Sequence, residues 1–152
     1  MKKIRYPREL EKIEKEFKTF FDKEDRIREQ SLKLSRETIR FSSQSIKKIH
    51  HADFKYAKNL LDNAAESLKI AKKILVDFPE IRYAGFIHNA EKEFVEAVVI
   101  YTLLTEDKIF IPDFEKVDRV SYLHGLSEAM GELRRYILDR IRNGETDNLD
   151  YF

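Results

Sequence analysis

The chain has 152 residues, 38% of them charged and 42% hydrophobic, with 4 Gly, 3 Pro, no Cys and a formal net charge of +1. This length suits a single domain, residues 1–152, and the balance excludes a disordered chain. The lack of cysteine excludes a disulfide framework and a thiolate metal site, and "MKKIRYPREL" lacks an apolar signal region. Nothing approaches a membrane span, so a soluble, cytoplasmic protein is expected.

Pro7 suits the first turn of a helix whose pattern runs to about His50. Ile13, Phe17, Phe20, Phe21, Ile27, Leu32, Leu34, Ile39, Ile46 and Ile49 mark its buried side, and their spacing slips near Asp22–Asp25, which predicts a bend or break there. Residues 31–60 hold Lys33, Arg36, Arg40, Lys47, Lys48, Lys55 and Lys58 against Glu37 and Asp53, a net of +5. Such a stripe either follows phosphates or is an ordinary solvated face.

Asp53 is a candidate N-cap for the next helix, whose Leu60, Leu61, Ala64, Leu68, Ala71 and Leu75 form an apolar stripe. Pro79 ends it and opens a helix over about 80–105. A connection around Pro112 follows, then Asp118 as N-cap of a helix over 119–142 that ends at Asn143-Gly144. "ETDNLDYF" resembles the cap and first turn of another. With no strand-like alternation, the fold class is all-α: an antiparallel helical bundle of four long helices plus the start of another.

Two pairs of carboxylates carry the chemistry. Glu93 and Glu96 lie three apart at the start of an otherwise apolar stretch, where an unpaired charge is costly, so a partner or a metal is required. Glu128 and Glu132 share a face of the 119–142 helix, opposite Leu123, Leu126, Met130, Leu133, Ile137 and Ile141, which should face the core. Gly125 and Gly131 each cost about 1 kcal/mol relative to Ala inside a helix, and close approach of a partner would explain them. If the two helices are neighbours, four carboxylates converge. An all-oxygen site favours Mg²⁺ or Mn²⁺, which can assist hydrolysis of a phosphodiester.

Three stretches resemble the translin/TRAX family, that is, translin and translin-associated factor X. They are "YLHGLSEAMGELRR" (122–135), "EKEFVEAVVIY" (91–101) and, more loosely, "EDRIREQSLKLSRETIRFSSQSIKKIH" (24–50). The resemblance covers roughly residues 15–148. It implies a translin-like helical fold, hollow octamer-like homo-oligomeric shells, and single-stranded RNA, possibly single-stranded DNA, as partner. In the TRAX branch it also implies a Mg²⁺-dependent endoribonuclease, with Glu93, Glu96, Glu128 and Glu132 as both metal ligands and catalytic residues. Glu128 stands where that branch has Asp, and the family continues beyond residue 152 with further C-terminal helices.

Candidates for nucleic-acid contact are Arg36, Arg40, Lys47 and Lys48, from charge and position. The alternative is a non-catalytic single-strand binder of translin type. A bundle that only stores or oxidises metal would need histidine at helical spacing from glutamate, and His88 precedes Glu93 by five. His50 and His51 read as surface or capping residues, His124 as a surface residue, and no serine has a convincing base partner.

Overall fold

The computed structural model describes residues 8–113 and 116–145. The expected roles of Pro7 and of residues 146–152 lie outside them. Five helices follow in order: α1 Arg8–His50, α2 Phe54–Ile74, α3 Pro79–Arg82, α4 Gly85–Glu106 and α5 Arg119–Arg142. There is no strand among the described residues. Asp53 caps α2 by accepting from the Tyr56 N–H, and Asp118 caps α5 by accepting from the Ser121 N–H at 2.9 Å. Gly144, at φ +77°, follows the end of α5, where the left-handed region favours glycine. The helix expected over 80–105 is split, because the one-turn α3 stops at Tyr83 and α4 starts afresh at Gly85.

Helix α1 has no break at Asp22–Asp25. Its deepest line is Ser31, Ser35, Thr38, Ser42, Ser45 and Ile49, all buried, while Leu32, Leu34, Ile39 and Ile46 are only partly so. The line alternates steps of three and four, a seven-residue repeat that Leu10 and Phe17 extend backwards without a slip. An apolar-only reading misses it because its members are hydroxyl residues. The matching face of α2 carries Ala57, Ala64 and Ala71, again seven apart and fully buried, and Ser45 Oγ donates to the Ala57 carbonyl at 3.0 Å. Small side chains on both helices let the two backbones approach closely. Ser31 and Thr38 donate to carbonyls one turn earlier, but the buried hydroxyls of Ser35 and Ser42 have no partner.

Helix α1, 43 residues and about 65 Å long, outreaches the 21-residue α2. Ile13, Phe17, Phe20 and Phe21, expected inside, are therefore exposed, Phe17 to 58%. No other element among the described residues covers them.

Helix α2 is antiparallel to α1 and α4, the expected arrangement. The end of α2 packs Ala71 and Leu75 on Ile87 at the start of α4. The start of α2 packs Ala57 with Ile49, Val95, Val99 and Ile100. Helix α5 runs alongside α4 in the same direction, since His88 meets His124 and Lys92 meets Glu128. The connection must return the length of α4, about 33 Å, and twelve residues extended reach about 40 Å. Tyr122 Oη fastens it by donating to the Phe110 carbonyl at 2.9 Å.

The buried face of α5 differs from the expected one. It is Ser121, Gly125, Ala129 and Tyr136; Leu123, Met130 and Ile141 are exposed, and Leu126, Leu133 and Ile137 are half-buried. Closeness to α4 decides this. A Cβ on Gly125 would stand 2.6 Å from the Lys92 carbonyl oxygen and 2.7 Å from Val95 Cβ, so the small side of α5 turns inward. Gly131 has nothing within 4 Å.

These contacts set opposite outcomes for similar substitutions. Gly125→Ala should destabilise by about 1–3 kcal/mol through overpacking, and Gly131→Ala should stabilise by about 1 kcal/mol through helix propensity. Ser42→Ala, which removes an unsatisfied hydroxyl, should stabilise by about 1 kcal/mol. Urea denaturation of the three variants checks all of these.

Candidate metal centre

The close approach at Gly125 positions the acidic residues. Glu93 and Glu96, one turn apart on α4, meet Glu128 on the facing turn of α5, and one carboxylate oxygen from each lies within 4.8 Å of the others. This is the one such carboxylate triad among the described residues. Burial pushes the Glu96 carboxyl up to about 7, with further contributions from the charges on Glu93, Glu128 and Glu132. Lys92 lies beside the triad, its Nζ 2.8 Å from Glu128 Oε2 and 3.2 Å from Glu93 Oε1. Its hydrogen bond to Glu128 is the main influence raising the Lys92 ammonium above its ordinary range.

Three carboxylates against one ammonium leave two negative charges when all are ionised. The donor set is oxygen only. Both facts fit a hard divalent cation such as Mg²⁺ or Mn²⁺.

Glu132 lines the same groove without joining the triad. Its Oε1 lies 2.5 Å from His50 Nε2, and His50 Nδ1 lies 3.6 Å from Asp139 Oδ2. His50 is therefore not the surface or capping residue expected from its place at a helix junction. Its ring is largely buried against Tyr136, because the end of α1 meets the middle of α5, a contact 82 residues apart in sequence. The groove has a volume of about 560 Å³, and its walls include Lys47, His50, Glu93, Glu96, Glu132, Arg135, Asp139 and Arg142. Arg135 and Arg142, with Lys92 and His50, are the residues that sequence reasoning missed. Arg135 and Arg142 lie one and three turns beyond Glu132 or its neighbours on α5, a basic run that spacing on that helix could have flagged.

The basic candidates separate into two groups. Arg36, Arg40 and Lys47 are exposed and share one line of α1, about 16 Å long, that leads into the groove. Arg40 stacks its guanidinium over Phe41 at 4.7 Å. Lys48 is turned toward α2, 3.6 Å from Asp53 and over the Tyr56 ring. At the far end of the α4–α5 pair, Ser121 Oγ lies 2.7 Å from His88 Nδ1, so a serine with an imidazole partner does exist. It is fully buried, out of reach of a substrate.

The raised Glu96 carboxyl fixes a pH dependence. Its pKa is higher in the native protein than in the unfolded chain, so between about pH 4.5 and 7 the folded state binds more protons and stability falls as pH rises. In EDTA, Glu96→Gln should therefore melt higher than wild type at about pH 8, and the advantage should vanish near pH 4.5. Thermal melts across that range check it.

No family model matches the chain. An uncharacterized protein of Methanocaldococcus jannaschii, MJ0175, is 38% identical over 129 residues, 82% of this chain and 54% of that protein. The chain thus spans about half the length of this curated relative. The crystal structure of AfC3PO matches with a TM-score of 0.81 and 31% identity, over 90% of this chain and 70% of its own. A complex of AfC3PO with duplex RNA gives the same values. Apo-NeC3PO matches with a TM-score of 0.69 over 93% of this chain and 72% of its own, at 24% identity, a likeness of fold alone. Likeness at 31% identity over 70% of AfC3PO, in a fold that sets the FVEA and GEL segments side by side, places the chain in the translin/TRAX family.

Proposed function

We propose that the protein is a metal-dependent endoribonuclease that cleaves single-stranded RNA. The observation that carries this reading is the convergence of Glu93, Glu96 and Glu128 beside a groove with basic residues on its walls. Carboxylates at a phosphate site repel the substrate unless a cation intervenes, and the triad keeps two charges that Lys92 does not balance. Glu93, Glu96 and Glu128 would hold Mg²⁺ or Mn²⁺, with Glu132 available from the same groove. A bound ion would supply positive charge against the phosphodiester and ease deprotonation of water.

The chain's own residues divide the remaining work. Arg36, Arg40 and Lys47 track the phosphates toward the groove, and Arg135 and Arg142 meet them at its wall. Glu96, poised near neutrality, can take or hold a proton at its carboxyl. His50 orients Glu132 through the 2.5 Å contact. The complex of AfC3PO with duplex RNA supports RNA as the ligand class. Exposed apolar residues on α1 and α5, among them Phe17, Phe21, Leu123 and Ile141, support a homo-oligomer, octamer-like as in the family's shells.

A second reading, a non-catalytic single-strand RNA or DNA binder of translin type, is favoured by Lys92, whose ammonium already occupies part of the acidic cluster. A labelled single-stranded RNA separates the two. Cutting should require Mg²⁺ or Mn²⁺, stop in EDTA and fall at least ~100-fold in Glu96→Gln, since even outer-shell changes cost up to about that much. Tight binding by a folded, assembled protein that cuts nothing with either ion would establish the second reading instead.

A further inference from the structure

We propose that His88 and His124 form a second metal site, bidentate and specific for a late divalent transition metal such as Zn²⁺, Ni²⁺ or Cu²⁺, at the paired N-terminal ends of α4 and α5. The two rings cross nearly perpendicularly, with His88 Nε2 3.3 Å from His124 Nδ1. Two nitrogens bound to one tetrahedral Zn²⁺ at about 2.0–2.1 Å lie about 3.3 Å apart. The pair therefore already has the separation a shared ion requires.

A chain of buried groups behind His88 determines which nitrogen faces outward. Glu91 is only 3% exposed although it is a carboxylate, and one of its oxygens accepts from the Lys72 ammonium. Its other oxygen, Oε2, accepts from Ser121 Oγ at 3.0 Å. With its one proton directed to a carboxylate, Glu91 at 3.0 Å or Asp118 at 3.3 Å, the Ser121 hydroxyl can only accept from His88, so Nδ1 of His88 carries the hydrogen across the 2.7 Å contact. The lone pair of His88 is then on Nε2, where it accepts from His124 Nδ1 at 3.3 Å, and a shared ion would take the place of that hydrogen. Metal-binding histidines are fixed in this way, with one ring nitrogen donating to an outer-shell acceptor so that the other is free for the ion.

The site differs in kind from the acidic cluster. Imidazole nitrogen selects borderline metals, whereas carboxylate oxygen selects Mg²⁺ or Mn²⁺. The two lie on adjacent turns of the same α4–α5 seam, with Lys92 one turn after His88 and Glu128 one turn after His124. His88 and His124 are partly solvent-accessible, so an ion can enter and water can complete its coordination. Because the ligands come from two helices, binding would clamp the start of α5 to the start of α4.

Isothermal titration of the untagged protein with Zn²⁺, in excess Mg²⁺ to occupy the carboxylates, tests this. One Zn²⁺ per chain should bind, and Zn²⁺ should raise the melting temperature. His88→Ala and His124→Ala should each weaken binding by more than about tenfold, and Ser121→Ala by about tenfold through loss of the orienting hydrogen bond. His51→Ala should leave binding unchanged. With Cu²⁺ in place of Zn²⁺, the electron paramagnetic resonance spectrum should show nitrogen coupling that both ligand variants lose. Absence of Zn²⁺ binding, or binding of equal affinity in His88→Ala and His124→Ala, would overturn the proposal. Because His124 is exposed, its variant tests the site without disturbing the core.

Discussion

Helix α5 lies against α4 through a line of small residues, and at position 125 the contact leaves no room for a side chain. Any side chain there would meet the Lys92 carbonyl and Val95. The geometry of both polar clusters follows from this approach. One turn toward the N-terminus, Ser121, His88 and His124 come together; one turn toward the C-terminus, Glu128 reaches Glu93 and Glu96. Larger residues along this line would hold the helices farther apart, and opposed carboxylates would fall beyond the span of a single ion. The hydroxyl-lined α1–α2 seam works alike, bringing the end of α1 and His50 to the groove wall.

This tight packing makes electrostatics decisive. Glu96 sits among three other carboxylates, partly removed from water, and its carboxyl is pushed up to about 7. Lys92 relieves only part of the repulsion. A core that held such a group for structural reasons alone would gain from an apolar residue in its place. Glu91, by contrast, is more deeply buried but fully partnered, with Lys72 on one oxygen and Ser121 on the other. Two glutamates five residues apart on one helix thus differ in kind, one satisfied and structural, the other left short of positive charge.

Much of this was legible in the sequence. The helix caps at Asp53 and Asp118, the stop at Gly144 and the apolar stripe of α2 follow from local rules that the structure obeys. The pairing of Glu93 and Glu96 with the 128–132 turn was legible from motif and spacing. Three features were not. The serine seam of α1 is invisible to hydrophobic periodicity, because Ser buried against Ala relies on its small size and not on apolarity. The inward face of α5 was misread for the same reason, since Leu123 and Met130 outrank Ser121 and Gly125 on any hydrophobic scale. The His50–Glu132 and His88–His124 contacts join positions 82 and 36 apart, set by the packing of whole helices. Phe17, Phe20 and Phe21 were expected inside because a stripe marks an apolar face without recording whether another element reaches it.

The account rests on the carboxylates of Glu93, Glu96 and Glu128 acting together as a cation site. Crystals of the protein grown with Mn²⁺ test this most directly, through anomalous scattering measured near the manganese edge. The account predicts an anomalous peak bonded to oxygens of these three residues, with the Lys92 ammonium displaced from at least one of them. An ordered site with no anomalous peak, and Lys92 still bridging Glu93 and Glu128, would contradict it.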